Sequence, residues 1–452
     1  MKFAIVGAGW AGLSAAVTAH RLGHEVHVFE AAPTLGGRAR SVHAPWATID
    51  NGQHILLGAY TATLALMREL GLNPDDRFLR MPLNVVSADA TIQLRAKPGL
   101  PTPLHIAVAL ATARGFSLRE KWAALSAMMG LRNANWEVTP ASTVQQWLHD
   151  TRQPARLQQV LWIPLCIATM NTPPEQACAQ LFAHVLRDSL GARDRSASDM
   201  LIPRKTLTEL WPAQVHRLAT GNATVSNGGH ATSGTGPALK IHHPHTVRHL
   251  RYATENTLML DDVPHTYDAV LVCGNTPSTA RLLSTLPETD GGCAFLADLN
   301  AFTHAPIATL TVEVEHPIRL PAPMLLLAED RTRGQFGQWL FQGQDATGRL
   351  LHVVISDADS LLEYGREAAI RSMLEQLNEA LRGKMPSVTR HALIVEKRAT
   401  FLAVPGLKRP GNRTPWRGVW VAGDWTDTGY PAVLEGAVRS GRDAVLAMVS
   451  SS

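Results

Sequence analysis

Gly7, Gly9 and Gly12 open this chain with the spacing G-x-G-x-x-G, and Glu30 stands at the end of the next apolar run. Residues of these types at this spacing can hold a dinucleotide. Gly7 permits a tight turn, Gly9 lets backbone approach a pyrophosphate, and Gly12 lets a helix pack close to its strand. Trp10 and Ala11 lie between the glycines, where a helix begins. The free N–H groups of its first turn and its positive dipole end favour anionic oxygens. A carboxylate about 20 residues further on accepts hydrogen bonds from a ribose, which is the part given to Glu30. The positioning elements follow from the same stretch. Phe3 to Val6 reads as a strand, Leu13 to Leu22 as a helix, Gly23 as its stop and Val26 to Phe29 as the second strand.

A second glycine turn, Gly36-Gly37-Arg38, follows the acid after a short loop. Near the other end, Gly418 to Val421 reads as a buried strand that runs into Gly423-Asp424, and Pro431 suits the first turn of the helical stretch around Glu435, Gly436 and Ala437. These two regions together resemble the flavoproteins of the amine oxidase and phytoene desaturase superfamily. The resemblance implies that Gly36, Gly37 and Arg38 lie along the pyrophosphate and ribityl chain of FAD. It implies too that Gly423, Asp424, Glu435, Gly436 and Ala437 belong to the cofactor site, with the C-terminal helix aimed at the flavin ring. Val247 would meet the adenine through its backbone. Signatures separated by nearly the whole chain make one nucleotide-binding domain from both termini, with the middle inserted. The expected class is therefore α/β: a Rossmann-like FAD-binding domain of the GR2 type, an inserted α+β substrate domain and a helical insertion. The expected division is 1–80, 241–290 and 401–452 for the cofactor domain, with 81–240 and 291–400 on the substrate side.

The middle of the chain has its own patterns. From Pro98 to Leu186 it is Ala- and Leu-rich, with Trp147, Trp162 and Phe182 among its bulky members, which predicts helices packed around a greasy interior. Some of these residues would line an apolar tunnel. Ala219 to Pro237 is rich in Gly, Asn, Ser and Thr and reads as a loop. Alternating runs at Ala308 to Val314, Met324 to Leu327 and His352 to Ile355 predict a sheet on the substrate side. Ile370, Leu374, Leu377 and Leu381 share one face of a helix that Gly383 can cap and Pro386 stops.

Composition narrows the partners. The 452 residues are 45% hydrophobic and 18% charged, enough for a large core in two interleaved domains. Cys166, Cys178, Cys273 and Cys293 have no metal spacing, and His242, His243 and His245 lie in a polar stretch without a matching acidic or thiol cluster. No metal is expected. The net charge of +4 is spread along the chain, which sets nucleic acid aside as a partner but would assist contact with an anionic bilayer. The apolar start is a glycine-punctuated strand rather than a secretory signal, and no run reaches the roughly 18 apolar residues of a spanning helix. A cytoplasmic protein in peripheral contact with the inner face of the membrane is expected.

Further motifs refine the resemblance: Asn51 to His54, the helix start Gly58 to Tyr60, Ile202 to Arg204, Gly337 to Phe341 and Gly429 to Pro431. Taken together they are similar to the hydroxysqualene dehydroxylases of bacterial hopanoid biosynthesis, the squalene-associated FAD-dependent desaturases, over essentially the whole chain. That resemblance implies removal of an allylic hydroxyl from a long isoprenoid, with reduced FAD as hydride donor and an unidentified source of electrons. Such chemistry asks for a dry site and for an acid that helps the hydroxyl leave. His54 is the first candidate, since imidazole titrates near neutrality, and Tyr430, with its phenol beside the expected flavin, is the second. Asp50 and Glu435 are read as structural residues or partners of the ribityl chain. Two other classes share the resemblance: a phytoene-type desaturase running in the oxidative direction, and a non-catalytic carrier of prenyl lipids. An amine oxidase reading is weaker, because aromatic residues that would enclose an amine are only 6% of the chain.

Overall fold

A computed structural model describes residues 1–221, 226–227, 230–231, 238–261, 263–343, 345 and 347–451. Most of the Gly-, Asn-, Ser- and Thr-rich stretch at 219–237 lies outside the described residues.

Five short apolar strands build a parallel sheet, in the order Leu239–His242, Glu25–Phe29, Lys2–Val6, Ala269–Val272, Val419–Val421. Phe3 stands between Val26 and Ala269 in register, so the chain begins at the centre of the sheet and adds its edge strands from remote positions. Strands buried on both faces explain why these segments read as continuous apolar runs. The edge strand Leu239–His242 ends within the histidine-rich stretch, and His242 stacks on Phe29 at 4.8 Å between ring centroids. The helices Trp10–Arg21 and Leu434–Ser450 pack together over this sheet, which places the first and last elements of the chain side by side. Their closeness depends on glycine. A Cβ on Gly441 would stand 2.0 Å from the carbonyl oxygen of Ala11, and at the contact of the first helix with its strand one on Gly12 would stand 1.9 Å from that of Gly7.

The second sheet is antiparallel, in the order Met324–Leu326, Trp339–Gln342, Leu350–Ser356, His304–Val314, Val388–Phe401. The alternation divides its faces. Leu310, Val312, Val353 and Leu393 pack under Ile370, Met373 and Leu377 of the Arg366–Ala380 helix, whereas Ile307, Val354 and Ser356 point to the other side. The predicted stop holds in position, with the helix capped at Leu381 and the Gly383 N–H donating back to the Asn378 carbonyl at 2.8 Å.

The predicted helical insertion comprises Leu104–Thr112, Leu118–Asn133, Val144–Asp150, Ile163–Met170 and Ala179–Ser189. Trp147, Trp162 and Phe182 form its core, edge to face at 5.4 to 6.4 Å. They are packing residues. The part of this insertion that reaches the cavity described below is Ala168 to Asn171, at the end of one helix. Asn171 fastens that end to the second sheet: its amide donates to Thr400 Oγ1 at 2.7 Å and accepts from the Asp357 N–H at 2.8 Å.

Two glycines inside helices should therefore respond in opposite directions. Gly441→Ala forces the terminal helices apart and should lower unfolding stability by about 1–3 kcal/mol. Gly130→Ala, where an added methyl meets nothing within 4 Å, should raise stability by about 0.5–1 kcal/mol through helix propensity. Chemical denaturation of the two variants checks both signs.

Candidate functional site

One cavity of about 1100 Å³ runs along the carboxyl ends of the parallel strands and on to the open face of the second sheet. At its first end the two glycine turns touch. Gly7 holds φ at +108°, and a Cβ there would lie 2.9 Å from the Cys273 carbonyl oxygen. A Cβ on Gly37 would lie 2.9 Å from the Cα of Gly9, while the Gly36 N–H donates to the Ala8 carbonyl at 2.9 Å. Bare backbone is thus exposed to the cavity at Gly7, Gly9, Gly36 and Gly37. The Trp10–Arg21 helix starts there from Gly9 with no side-chain cap, so its first N–H groups are left for an anion, and Trp10 and Ala11 line the wall. Arg248 and Arg281 add positive charge to the lining.

Glu30 sits where the second strand ends. One carboxylate oxygen accepts the Ala8 N–H and the other the Ala32 N–H, each at 2.7 Å, and the side chain still faces the cavity. The Glu30 carbonyl receives the His245 N–H at 2.7 Å, which sets the segment carrying Val247 along the same wall.

Arg38 joins three parts of the chain. Its guanidinium donates to Asp424 Oδ1 at 2.6 Å and to the Ala399 carbonyl at 2.6 Å, tying the second glycine turn to the C-terminal turn and to the last strand of the second sheet. Asn51 extends the junction, with its amide on the Arg38 carbonyl at 3.1 Å and on Glu396 at 3.2 Å. Gly423, Asp424 and Ala437 line the cavity beside it.

Four predicted residues stand elsewhere. Gly12 lies behind the wall, at the helix–strand contact. Glu435 turns away from the cavity and accepts the N–H groups of Ala62 and Thr63 at 2.9 and 3.0 Å, the Thr63 hydroxyl at 2.8 Å and Arg439 at 2.8 Å. Its carboxylate caps the Thr61–Glu69 helix, and Gly436 follows it outside the lining. Asp50 has a similar structural part. It accepts the Leu207 N–H at 2.8 Å at the start of a short helix, and burial raises its pKa to about 6.

Tyr430 is also outside the lining, which changes the part first given to it. Its hydroxyl donates to Asp188 at 2.6 Å, and burial with that bond raises its pKa to about 12. The Gly429 carbonyl accepts from His184 Nδ1 at 2.9 Å, so the Ala179–Ser189 helix grips this turn at two points. Arg409 grips it from beneath, donating to the carbonyls of Tyr430 at 2.6 Å, Asp424 at 2.9 Å, Trp425 at 3.2 Å and Thr426. Burial lowers this guanidinium to about 10. Arg409 carries no motif, and in sequence it reads as one more loop cation.

The other end of the cavity has a different character. Ile55, Met170, Ile307 and Val354 give it apolar surface, and Gln53, His54, Tyr60, Thr169, Asn171 and Ser356 add polar groups to its wall. His54 Nδ1 lies 2.7 Å from the Gly52 carbonyl, an acceptor, so Nδ1 carries the proton. Burial is the main cause that lowers the His54 pKa, helped by the Arg38 charge and opposed by the Gly52 bond. The ring is neutral, and Nε2 is left with a lone pair. His54 at neutral pH is accordingly an acceptor rather than the acid expected of it. Tyr60, at the start of the Thr61–Glu69 helix, is the phenol in this wall. Burial raises its pKa, so it stays a donor. Sequence placed Tyr60 in a motif without giving it a part.

The first end fits FAD on structural grounds: a cradle that side chains would fill, an uncapped helix terminus and a fixed carboxylate at the adjoining strand end. Comparison with known proteins agrees. Residues 10–449 match the family model of flavin containing amine oxidoreductases. Hydroxysqualene dehydroxylase of Rhodopseudomonas palustris is 29% identical over 97% of this chain and 96% of its own length. A 15-cis-phytoene desaturase of Oncidium is 24% identical over 99% of this chain and 78% of its own. Among solved structures, cyclohexylamine oxidase of Brevibacterium oxydans superposes with a TM-score of 0.66 over 100% of this chain and 99% of its own, at 16% identity, a likeness of fold. With a dinucleotide cradle at one end of the cavity and the family model spanning nearly all of the sequence, the chain belongs to the flavin-containing amine oxidoreductases and its cofactor is FAD.

Proposed function

We propose that this oxidoreductase removes the allylic hydroxyl of hydroxysqualene reductively and releases squalene. The observation that carries the reading is the presence of a neutral donor and a neutral acceptor, Tyr60 and His54, in the wall of a cavity to which Ile55, Met170, Ile307 and Val354 give apolar surface. A hydroxyl group has one proton to give and lone pairs to receive, and this wall offers a partner for each. A purely hydrocarbon substrate would leave both unmatched, and an alkylammonium would meet no free carboxylate from either side chain. The relatives named hydroxysqualene dehydroxylase, at 29%, 28% and 25% identity, support the same substrate class.

On this reading Gly7, Gly9, Glu30, Gly37, Arg38, Val247 and Asp424 hold the cofactor, and reduced FAD supplies a hydride. The rest falls to the chain's own groups. Nε2 of His54 accepts the substrate O–H and fixes the direction of the C–O bond. The Tyr60 phenol gives its proton to the same oxygen as the C–O bond breaks, so that the oxygen leaves as water, and a proton from solvent restores the phenol after product release. Ile55, Met170, Ile307 and Val354 keep water from the developing allylic cation. Burial raises the Tyr60 pKa and lowers that of His54, which keeps both neutral without a counter-ion.

Anaerobic single turnover tests the direction. Hydroxysqualene should reoxidise the prereduced protein with squalene as product, and phytoene should leave the oxidised protein unbleached; the opposite pair of results would establish the desaturase reading instead.

The two wall residues should separate from Tyr430. Tyr60→Phe should slow hydride transfer about a hundredfold with flavin retained. Tyr430→Phe, which loses a bond outside the cavity, should slow it by no more than about threefold, the scale of one neutral hydrogen bond. Equal effects would remove Tyr60 from the mechanism.

The pH profile carries a sign. Because folding lowers the His54 pKa, the imidazole stays neutral across neutrality and is protonated only on the acid side, where Nε2 ceases to accept. The single-turnover rate should be level near neutral pH and fall in acid. In His54→Gln the acid limb should disappear.

A further inference from the structure

The Leu118–Asn133 helix buries Glu120, Ala124, Ala127 and Leu131 and turns a second apolar line outward. Leu118 is 77% exposed, Trp122 68% and Met129 53%. With the half-buried Leu125 between them, they recur at i, i+4, i+7 and i+11 and form one stripe along the helix. The Leu104–Thr112 helix packs against it and adds Leu104, 53% exposed. Solvent-facing positions of a helix ordinarily carry charge. A contiguous patch of large apolar side chains, rimmed by polar groups, marks a surface that meets a partner.

The rim identifies the partner's chemistry. Between residues 92 and 143 the cations are Arg95, Lys97, Arg114, Arg119, Lys121 and Arg132, and the acids are Glu120 and Glu137. Glu120 is buried and neutralised by Arg156 at 3.0 Å. The patch therefore combines an outward apolar stripe with an excess of positive charge, the pairing that seats a helix at the headgroup boundary of an anionic bilayer. Among the described residues no helix is long and apolar enough to cross a membrane, so the contact would be lateral.

The packing behind the patch leads inward. Ile106 of the Leu104–Thr112 helix and Leu83 both pack on the cluster of Leu94, Ala96, Ala109 and Ala113. Leu83 packs as well on the cluster of Met200, Met324, Phe341 and Val354, where Val354 lines the cavity. A seam of apolar packing thus joins the Leu104–Thr112 helix, through Ile106 and Leu83, to the apolar end of the site. Methionines in that seam can repack around a moving chain.

We infer that the Leu104–Thr112 and Leu118–Asn133 helices form the face on which this protein lies against anionic phospholipid, and that the seam through Leu83 admits the substrate from the bilayer. The seam's cargo rests on the proposed function; the docking does not.

Flotation of the FAD-loaded full chain with vesicles tests it, using phosphatidylcholine alone and phosphatidylcholine mixed with phosphatidylglycerol. The protein should float with the mixed vesicles, and about tenfold less should bind neutral vesicles or bind at high salt. Leu118→Ser with Trp122→Ser should reduce binding to mixed vesicles about tenfold. Arg119→Glu with Arg132→Glu should remove the preference for anionic lipid. Both variants should keep their flavin and their single-turnover rate on detergent-dispersed substrate, since all four positions are exposed and remote from the cavity wall. Wild-type protein that stays with the unbound fraction overturns the inference, as does a serine variant that floats like wild type. If the serine variant instead converts a dimer to a monomer and binds vesicles unchanged, the stripe is an interface between copies and the inference fails. Undiminished flotation without turnover of dispersed hydroxysqualene would refute the proposed function and leave the docking face standing.

Discussion

The contact between Arg38 and Asp424 is the one on which the rest of the site depends. Residues 386 positions apart in the chain meet at 2.6 Å, and the same guanidinium reaches the Ala399 carbonyl of the second sheet. Three pieces of chain that share no local order are thereby held around one cavity. Asp424 is buried and Arg38 is 36% exposed, so solvent screens part of the attraction. Loss of the cation would still leave a buried carboxylate without its partner, a cost of about 1–3 kcal/mol concentrated at the joint between the domains. The geometry matters as much as the energy, because a planar fork fixes both the distance and the angle of the C-terminal turn.

Around that joint the turn from Asp424 to Tyr430 is held through five of its carbonyls and through the side chains of Asp424, Trp425, Thr426 and Tyr430. Arg409 collects four of them and His184 a fifth. The bonds to carbonyls fix the course of the loop without asking for a particular side chain at those points. The same logic governs the first end of the cavity, where Gly7, Gly9, Gly36 and Gly37 present backbone and the helix terminus presents N–H groups. This end of the lining is mostly main chain, with the side chains of Glu30, Arg38, Arg248 and Arg281 beside it.

This division explains what could be read from the sequence. Main-chain recognition requires glycine at fixed spacing, and Gly7 to Gly12 and Gly36-Gly37 announce themselves; the parallel strands do so too, because burial on both faces makes them continuous apolar runs. The antiparallel sheet and its covering helix were legible from alternation and from Gly383. Side-chain partners across long separations were not. Glu435 carries a cofactor-like motif, yet its acid caps a helix nearly 400 residues upstream, and no local pattern distinguishes a carboxylate that faces a ligand from one that faces a helix terminus. Tyr430 and Tyr60 posed the same difficulty. Both stand beside glycine turns, and only the packing of the Ala179–Ser189 helix over the first leaves the second facing the cavity. Arg409 offered no signal at all, since a cation that binds carbonyls needs no partner of recognisable type.

The two ends of the cavity impose opposite demands on one protein. A pyrophosphate must be met by charge and dipole, whereas on the proposed reading the other end must keep water and nucleophiles away from an allylic cation. Charge at the first end would reach the second through a low dielectric, and its effect is visible in His54, whose protonation Arg38 disfavours. The consequence follows from neutrality. Once Arg38 and burial have made the imidazole an acceptor, the complementary role must fall to a group that can donate without carrying charge, and a phenol whose ionisation is suppressed by burial satisfies that condition where a carboxylic acid or an ammonium would not. On the proposed reading, the same electrostatics that hold the cofactor's phosphates therefore dictate which kind of side chain can assist the leaving hydroxyl at the far end.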